Sequence, residues 1–275
     1  MAKSLAGRVA AITGASSGIG ASTAEACGER GMRVGLFARR EERLLEVAER
    51  VRSAGGEAEV VPGDVRDREA VFGLVERVTR RWHHLDVVVA NAGFGITAPI
   101  AGTPPDEARE IFDVNVLGSV WAVQAAWPIF RTAGAGHAIL VSSAAAIHGL
   151  PANGLYSATK AAQRNLAEAL RIEGGEIGVD VSVVYPIMTT GTEFRKRVAD
   201  HTGEDEERES ARVGGPRQSA GEVAAAIVDC MESPRFEVYP WKPARLLPLA
   251  EAASPRLTAR LLRYREYYRR QTESS

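Results

Sequence analysis

The sequence predicts an α/β fold built on one doubly wound parallel sheet, and three observations carry that prediction. Short apolar runs alternate with longer helix-like segments along most of the chain. A glycine-rich turn, Thr13-Gly-Ala-Ser-Ser-Gly-Ile-Gly20, separates the first apolar run from the first helical segment. The 275 residues are enough to bury a full core as a single domain. Strand, helix, strand at this rhythm implies parallel strands, right-handed crossovers and cover on both faces.

In chain order, the first strand is Val9-Ala-Ala-Ile12 and the first helix runs from about Gly18 to Arg30. Val34-Gly-Leu-Phe37, Glu59-Val-Val61, Val87-Val-Val89, Ala138-Ile-Leu-Val141 and Val181-Ser-Val-Val184 read as further strands. The helices between them centre on Glu42 to Arg52, Arg68 to Arg80, Glu107 to Phe130 and Tyr156 to Glu173. In Ile111-Phe-Asp-Val-Asn-Val-Leu117, Asn115 interrupts an apolar helix, and its amide must find a partner there. A kinked backbone holding water, ordinary capping or a buried structural amide would provide one. Asp200 to Gln218 is charged and poor in large apolar residues, as expected of a surface loop. It is either a cover for a substrate or a solvated excursion.

Composition narrows the function classes. Lys plus Arg total 34 against 35 acidic residues, so no global charge points to nucleic acid or to an anionic membrane. Two cysteines, Cys27 and Cys230, make a disulfide framework improbable, and no metal site is expected. The amino terminus lacks the apolar region of a signal peptide, and no stretch approaches the roughly 20 apolar residues of a spanning helix. These features read as a cytoplasmic protein.

Ligands of an open parallel sheet lie beyond the carboxyl ends of its strands, where Gly14, Gly18 and Gly20 follow the first strand. Glycine permits a tight turn and lets backbone N–H groups approach a pyrophosphate, with Ser16, Ser17 and Ile19 in the same turn. After the second strand, in Leu36-Phe37-Ala38-Arg39-Arg40, Ala38 removes the carboxylate that would repel a 2′-phosphate and Arg39 can clamp one. NADP(H) is therefore expected, with NAD(H) the second choice. Surface pairing of Arg39 and Arg40 with Glu41 and Glu42 is the alternative use of that charge. Asp64 and Val65, after the third strand, are placed to hold an adenine ring, although Asp64 could equally cap the next helix.

Tyr156-Ser-Ala-Thr-Lys160 puts a phenol and an ammonium on one helix face. The chain has four lysines against thirty arginines, which adds weight to a lysine at this spacing. With Ser143 upstream, the set suits a carbonyl that gains negative charge on oxygen and needs both donors and a proton. A cation at about 4 Å, with an effective dielectric of about 20, favours phenolate by roughly 4 kcal/mol, or about three pKa units. Tyr156 is thus expected to titrate at about 7.

With these residues in view, the chain resembles the short-chain dehydrogenase/reductase family from about Leu5 to Tyr239. The matching pieces are the glycine-rich turn, Asn91-Ala92-Gly93, Asn115, Ser142-Ser143 and Tyr156-Ser-Ala-Thr-Lys160. The resemblance implies a Rossmann-type sheet of seven strands over 1–239, with 240–275 as a C-terminal extension. It further implies Tyr156 as catalytic acid, Ser143 as the residue orienting the substrate oxygen and Lys160 as partner of Tyr156 and of the nicotinamide ribose. Asn115 would hold a proton-relay water, and Asn91, Ala92 and Gly93 would line the cofactor cleft. Ser143 is preferred to Ser142 because it lies thirteen positions before Tyr156, as in family members.

Where family members carry Pro-Gly after the sixth strand, this chain reads Pro186-Ile187-Met188-Thr189-Thr190-Gly191-Thr192. Pro186 remains, while Thr189, Thr190 and Thr192 compete for the contact to the nicotinamide carboxamide. The pocket wall is expected from Phe94 to Ile96, Ala144 to Leu150, Ile187, Met188 and Phe194, with His148 a candidate substrate contact. This lining favours a hydrophobic ketone, aldehyde or secondary alcohol. In the extension, Leu257, Leu261, Tyr264 and Tyr268 recur at helical spacing beside arginines, an amphipathic helix for its own domain, a sister subunit or the periphery of a membrane, with a mobile tail the third reading. A homodimer or homotetramer is expected. The function expected is an NADP(H)-dependent carbonyl reductase or alcohol dehydrogenase; the alternative is a regulatory or scaffold protein that binds nucleotide without significant turnover.

Overall fold

The residues that alternate along each strand divide between two hydrophobic cores, and this division fixes the layers. A computed structural model describes residues 4–192 and 216–260 of the chain. Its strands are β1 (Val9–Thr13), β2 (Arg33–Ala38), β3 (Glu57–Pro62), β4 (Val87–Ala90), β5 (Gly136–Val141), β6 (Val179–Val184), β7 (Met188–Thr190), β8 (Arg217–Ser219) and β9 (Glu237–Val238). Its helices are α1 (Gly18–Glu29), α2 (Glu41–Ser53), α3 (Arg68–Trp82), α4 (Pro105–Phe112), α5 (Gly118–Ala133), α6 (Gly154–Gly175), α7 (Ala220–Glu232) and α8 (Leu247–Ala253).

Seven strands form one sheet in the order β3-β2-β1-β4-β5-β6-β9, and every neighbouring pair is parallel. Ala10 and Ile12 of β1 turn toward α1, α2 and α7, joining Ala24, Cys27, Leu44, Val47, Ile227 and Met231 in one core. Val9 and Ala11 turn the other way, joining Val71, Leu74 and Val78 of α3 and Ala122 and Phe130 of α5 in the second. The period of two in a strand and burial on both faces explain why these strands read as continuous apolar runs. Each fully buried Val, Ile or Leu contributes about 1.5–3 kcal/mol, so neither layer is dispensable.

The first three strands build outward from β1, and the fourth returns to its other side, so the sheet order reverses between β1 and β4. At such a switch point the loops part and leave a crevice beyond the strand ends. Gly14, Asn91 and Ser143 follow β1, β4 and β5 there.

Most of the expected elements lie within a few residues of their predicted positions. The expected Glu107 to Phe130 helix is divided: a π-helical turn, Asp113–Leu117, joins α4 to α5, and the Gly118 N–H bonds to the carbonyl of Asp113 five residues earlier. α7, for which no prediction was made, starts on a capping box in which the Ser219 hydroxyl accepts from the Glu222 N–H and the Glu222 carboxylate accepts from the Ser219 N–H. β7 and β8 form a separate two-stranded parallel ladder. Most of the Asp200 to Gln218 segment lies outside the described residues. So do Leu261, Tyr264 and Tyr268 of the predicted C-terminal stripe, while Leu246, Leu249 and Leu257 are exposed. Among the described residues, no helix is long and apolar enough to cross a membrane, and no group of side chains is arranged to hold a metal ion.

Candidate active site

The glycine turn is built by close backbone packing. Gly14 has φ +67°, and a Cβ on it would lie 2.8 Å from Ala92 Cα; at Gly20 a Cβ would overlap the Gly14 carbonyl and lie 2.6 Å from Asn91 Nδ2. Asn91 secures the same turn by donating from Nδ2 to the carbonyls of Thr13 (2.9 Å) and Gly14 (3.2 Å). The Thr13 hydroxyl in turn accepts from the N–H groups of Asn91 and Ala92. α1 begins at Gly18 with neither a side-chain cap from Ser17 nor an acidic residue in its first turn. The N–H groups at the start of a helix have no partner within it. The turn therefore offers donors and the positive end of a helix dipole to an anion, and the pyrophosphate of a dinucleotide fits that donor set.

Arg39 and Arg40 are both exposed just past the end of β2. Sequence reasoning singled out Arg39, but Arg40 also reaches the turn: its guanidinium donates to the Ser16 hydroxyl at 3.2 Å. The readable signal for Arg40 was its place two residues past β2, opposite a serine-rich turn. Asp64 does not cap α3. Burial opposes its ionisation, yet hydrogen bonds and charge from Arg66, with a contribution from Arg39, hold its carboxyl below the usual range. Asp67 caps α3 instead, accepting from the N–H groups of Glu69 and Ala70. Val65 is buried against Gly118, where an added Cβ would lie 2.9 Å away.

Ser143, Tyr156 and Lys160 come together between the end of β5 and the first turns of α6. The Ser143 hydroxyl accepts from the Ala145 N–H at 3.1 Å and hydrogen-bonds to the Tyr156 phenol; its other acceptor, the Pro186 carbonyl, is at a long 3.4 Å. Ser142 faces elsewhere and donates to the Lys160 carbonyl at 2.7 Å, tying α6 to β5. Lys160 Nζ lies 5.7 Å from the Tyr156 ring centroid and donates to the Val141 carbonyl (2.9 Å) and to Gln163 Oε1 (2.8 Å).

This geometry does not give the acidified phenol expected from the spacing alone. Burial pushes Tyr156 up to about 12, with the Ser143 hydrogen bond opposing, and burial pushes Lys160 down to about 7. Loss of water is the larger influence on the phenol, and the ammonium directs its hydrogen bonds to Val141 and Gln163. The phenol is therefore protonated near neutrality, which suits a donor.

A stability trend follows from Lys160. It titrates at about 7 in the folded chain against 10.5 ordinarily. Between these values the unfolded chain holds more protons, so stability rises with pH, by at most about 1.4 kcal/mol per unit. Above about 9 the trend levels off, because burial pushes the Cys27 thiol up to about 12 and its opposite slope cancels that of Lys160; above about 10 it reverses, as the raised Tyr156 phenol adds to Cys27. The thermal midpoint of the nucleotide-free protein is expected to rise between about pH 7 and 9, and the rise should be flatter in Lys160→Met. Parallel slopes for the two proteins would contradict this.

The π-helical turn presents Asn115, fully buried, to the chain after β4. Its Oδ1 accepts from the Phe94 N–H, and its Nδ2 donates to the Phe94 carbonyl and the Thr159 hydroxyl, at 2.9, 2.9 and 3.0 Å. The side-chain amide is thus a clamp between loop and helix, and its backbone carbonyl is the atom that faces a buried network, accepting from Ser119 at 2.8 Å. Gly93 permits the approach: a Cβ there would lie 3.0 Å from Asn115 Oδ1 and 3.3 Å from Lys160 Nζ.

Of the expected pocket wall, Phe94 and Ile96 are buried with Ile111 in an apolar cluster against Leu155 and Tyr156. His148 has a buried Nδ1 without a hydrogen-bond partner in the described structure, and Phe194 lies outside the described residues. The three threonines differ in surroundings. Thr192 packs over Gly18, where an added Cβ would meet its Cγ2 at 3.0 Å. Thr189 donates to the Ile187 carbonyl and Thr190 to the Gln218 carbonyl.

Comparison with known proteins agrees with this arrangement. Residues 8–203 match the family model described as short chain dehydrogenase. An uncharacterised oxidoreductase of Listeria innocua is 35% identical over 195 residues, 70% of this chain and 78% of that one. Among solved structures, a short chain dehydrogenase/reductase from Burkholderia phymatum in complex with NAD has a TM-score of 0.79 at 25% identity, covering 88% of this chain and 93% of its own. An alcohol dehydrogenase from the archaeon Thermococcus sibiricus, complexed with 5-hydroxy-NADP, has a TM-score of 0.72 at 29% identity over 84% of this chain and 95% of its own. The sheet order, the glycine turn and the paired Ser143 and Tyr156 thus meet in one conclusion: the chain is an oxidoreductase belonging to the short chain dehydrogenase family.

Proposed function

We propose that the protein is an NADP(H)-dependent oxidoreductase that interconverts a hydrophobic ketone or aldehyde and its alcohol, with Tyr156 as general acid and base. The observation that carries the reading is the partly buried Tyr156 phenol, hydrogen-bonded to Ser143 and with the Lys160 ammonium 5.7 Å from its ring centroid. The nicotinamide, when bound, supplies or accepts the hydride. Ser143 and Tyr156 hold the carbonyl oxygen with two hydroxyl donors, and Tyr156 delivers its proton as that oxygen becomes negative. Lys160 offsets part of the charge left on the phenolate. Phe94, Ile96, Ile111 and Leu155 exclude water and favour an apolar substrate.

The NADP(H) preference rests on Ala38, which leaves no carboxylate there, and on the two exposed guanidinium groups of Arg39 and Arg40. Arg39→Asp is expected to weaken NADPH relative to NADH by at least about tenfold, since one charge-assisted contact is worth more than about 1.4 kcal/mol. An unchanged ratio would move the phosphate contact to another residue. The activity itself is tested by following NADPH absorbance with a panel of hydrophobic ketones and aldehydes, and NADP reduction with secondary alcohols. Turnover with at least one pair is expected. Silence in both directions, with nucleotide bound, would overturn the reading.

A further inference from the structure

We propose that Gln163 is the positioning residue of Lys160: with Ser119 it links the ammonium to the Asn115 carbonyl through side chains alone, and so sets where the ammonium lies and how firmly it keeps its proton. The inference rests on the catalytic reading above. Lys160, Gln163, Ser119 and Asn115 are all at least nine-tenths buried. Lys160 Nζ donates to Gln163 Oε1 at 2.8 Å, Gln163 Nε2 donates to Ser119 Oγ at 2.7 Å, and Ser119 Oγ donates to the Asn115 carbonyl at 2.8 Å.

The chemistry allows this chain to run in one direction only. An ammonium has no acceptor, so the atom of Gln163 that faces it must be the oxygen. The amide nitrogen is then left for Ser119, whose single hydrogen is already directed to Asn115. Each buried polar atom is satisfied by the next, as burial requires. Three residues apart on α6, Lys160 and Gln163 share a helix face, so no loop has to move to make the contact.

The path fixes position and does not carry protons. A carboxamide has no readily exchanged proton to pass on, so the chain ends functionally at Gln163 Oε1. What the amide does is draw the ammonium toward β5, where the Val141 carbonyl is its second acceptor. The other groups that face Lys160 are uncharged apart from the titratable phenol of Tyr156 on its own helix. They are the Val141 carbonyl from β5, the Gly93 backbone from the turn after β4, and Ser119 of α5 through Gln163. Burial lowers the Lys160 affinity for protons, and hydrogen bonds accepted from the charged form, as by Val141 and Gln163, favour keeping the proton.

Only four lysines occur, so lysine labelling with a stable isotope gives a spectrum in which the Lys160 resonance is found by its absence in Lys160→Met. Titrating that resonance in the nucleotide-free protein is the primary test. Gln163→Leu should lower its midpoint by about one pH unit or more, because the charged form loses an acceptor. Gln163→Glu should raise it by about one to two units, because a carboxylate replaces that acceptor. Opposite shifts of this kind are not produced by loosened packing. Midpoints equal to that of the parent in both variants would overturn the proposal. If Gln163→Leu does not fold, a Gln163→Glu midpoint no higher than the parent's would overturn it alone. In the reduction assay, the high-pH limb should move in the same two directions. Shifted midpoints without turnover in any of the three proteins would support the role of Gln163 while removing the catalytic reading.

Discussion

Tyr156→Phe is expected to lower kcat/KM for carbonyl reduction by about 10²- to 10⁴-fold while leaving NADPH affinity within about twofold. The substitution removes one oxygen from a partly buried ring and leaves the ring's packing against the Phe94, Ile96 and Ile111 cluster intact. The glycine turn, the end of β2 and Asn91 are untouched, so nucleotide binding read by fluorescence should persist. Ser143 then remains as the only hydroxyl donor of the pair, and an aliphatic hydroxyl is too weak an acid to deliver a proton in place of the phenol. A variant with parental turnover would transfer the acid to another group. A variant that also lost nucleotide would show that the phenol shapes the cofactor cleft and not only the chemistry.

Gly20→Ala carries the largest expected structural effect. The new methyl group would meet the Gly14 carbonyl oxygen and the Asn91 amide, which are joined by the hydrogen bond that holds the turn. Backbone cannot rotate aside as a flexible side-chain end does, so α1 must shift away from β4. A loss of about 1–3 kcal/mol in stability is expected, with NADPH binding at least about tenfold weaker. Gly73→Ala provides the contrast. It lies within α3 with nothing within 4 Å of an added Cβ, so it should stabilise by about 0.5–1 kcal/mol and leave nucleotide binding unchanged. Equal effects of the two alanines would show that the turn tolerates the methyl group.

How far the sequence could be read depends on where the decisive contact lies. β1, β2 and β4 were legible because buried parallel strands leave unbroken apolar runs. α7 was not foreseen: Ala220-Gly-Glu-Val-Ala-Ala-Ala-Ile-Val-Asp-Cys-Met-Glu232 is apolar over most of its circumference, which blurs the helical period. Its readable signal was the capping box of Ser219 and Glu222 at the start. Asn115 marked a disturbance in a helix, but not that its side chain would clamp Phe94 and leave its backbone carbonyl to the interior. The Tyr156 and Lys160 spacing gave their shared face, whereas the withdrawal of the ammonium depends on Val141 and Gln163. Gln163 itself was visible in Lys160-Ala-Ala-Gln163 as an amide on the lysine's own face, a position where an apolar residue would be expected if the face were only packed.

The β7 and β8 ladder makes the chain modular at this end. Met188 pairs with Arg217 and Thr190 with Ser219 in parallel, so the chain leaves at the Thr190 end and re-enters beside Met188, with Thr192 still seated on Gly18. The ladder therefore fixes the spacing between the glycine turn, reached through Thr192, and the capped start of α7, reached through Ser219, whatever chain joins its two strands.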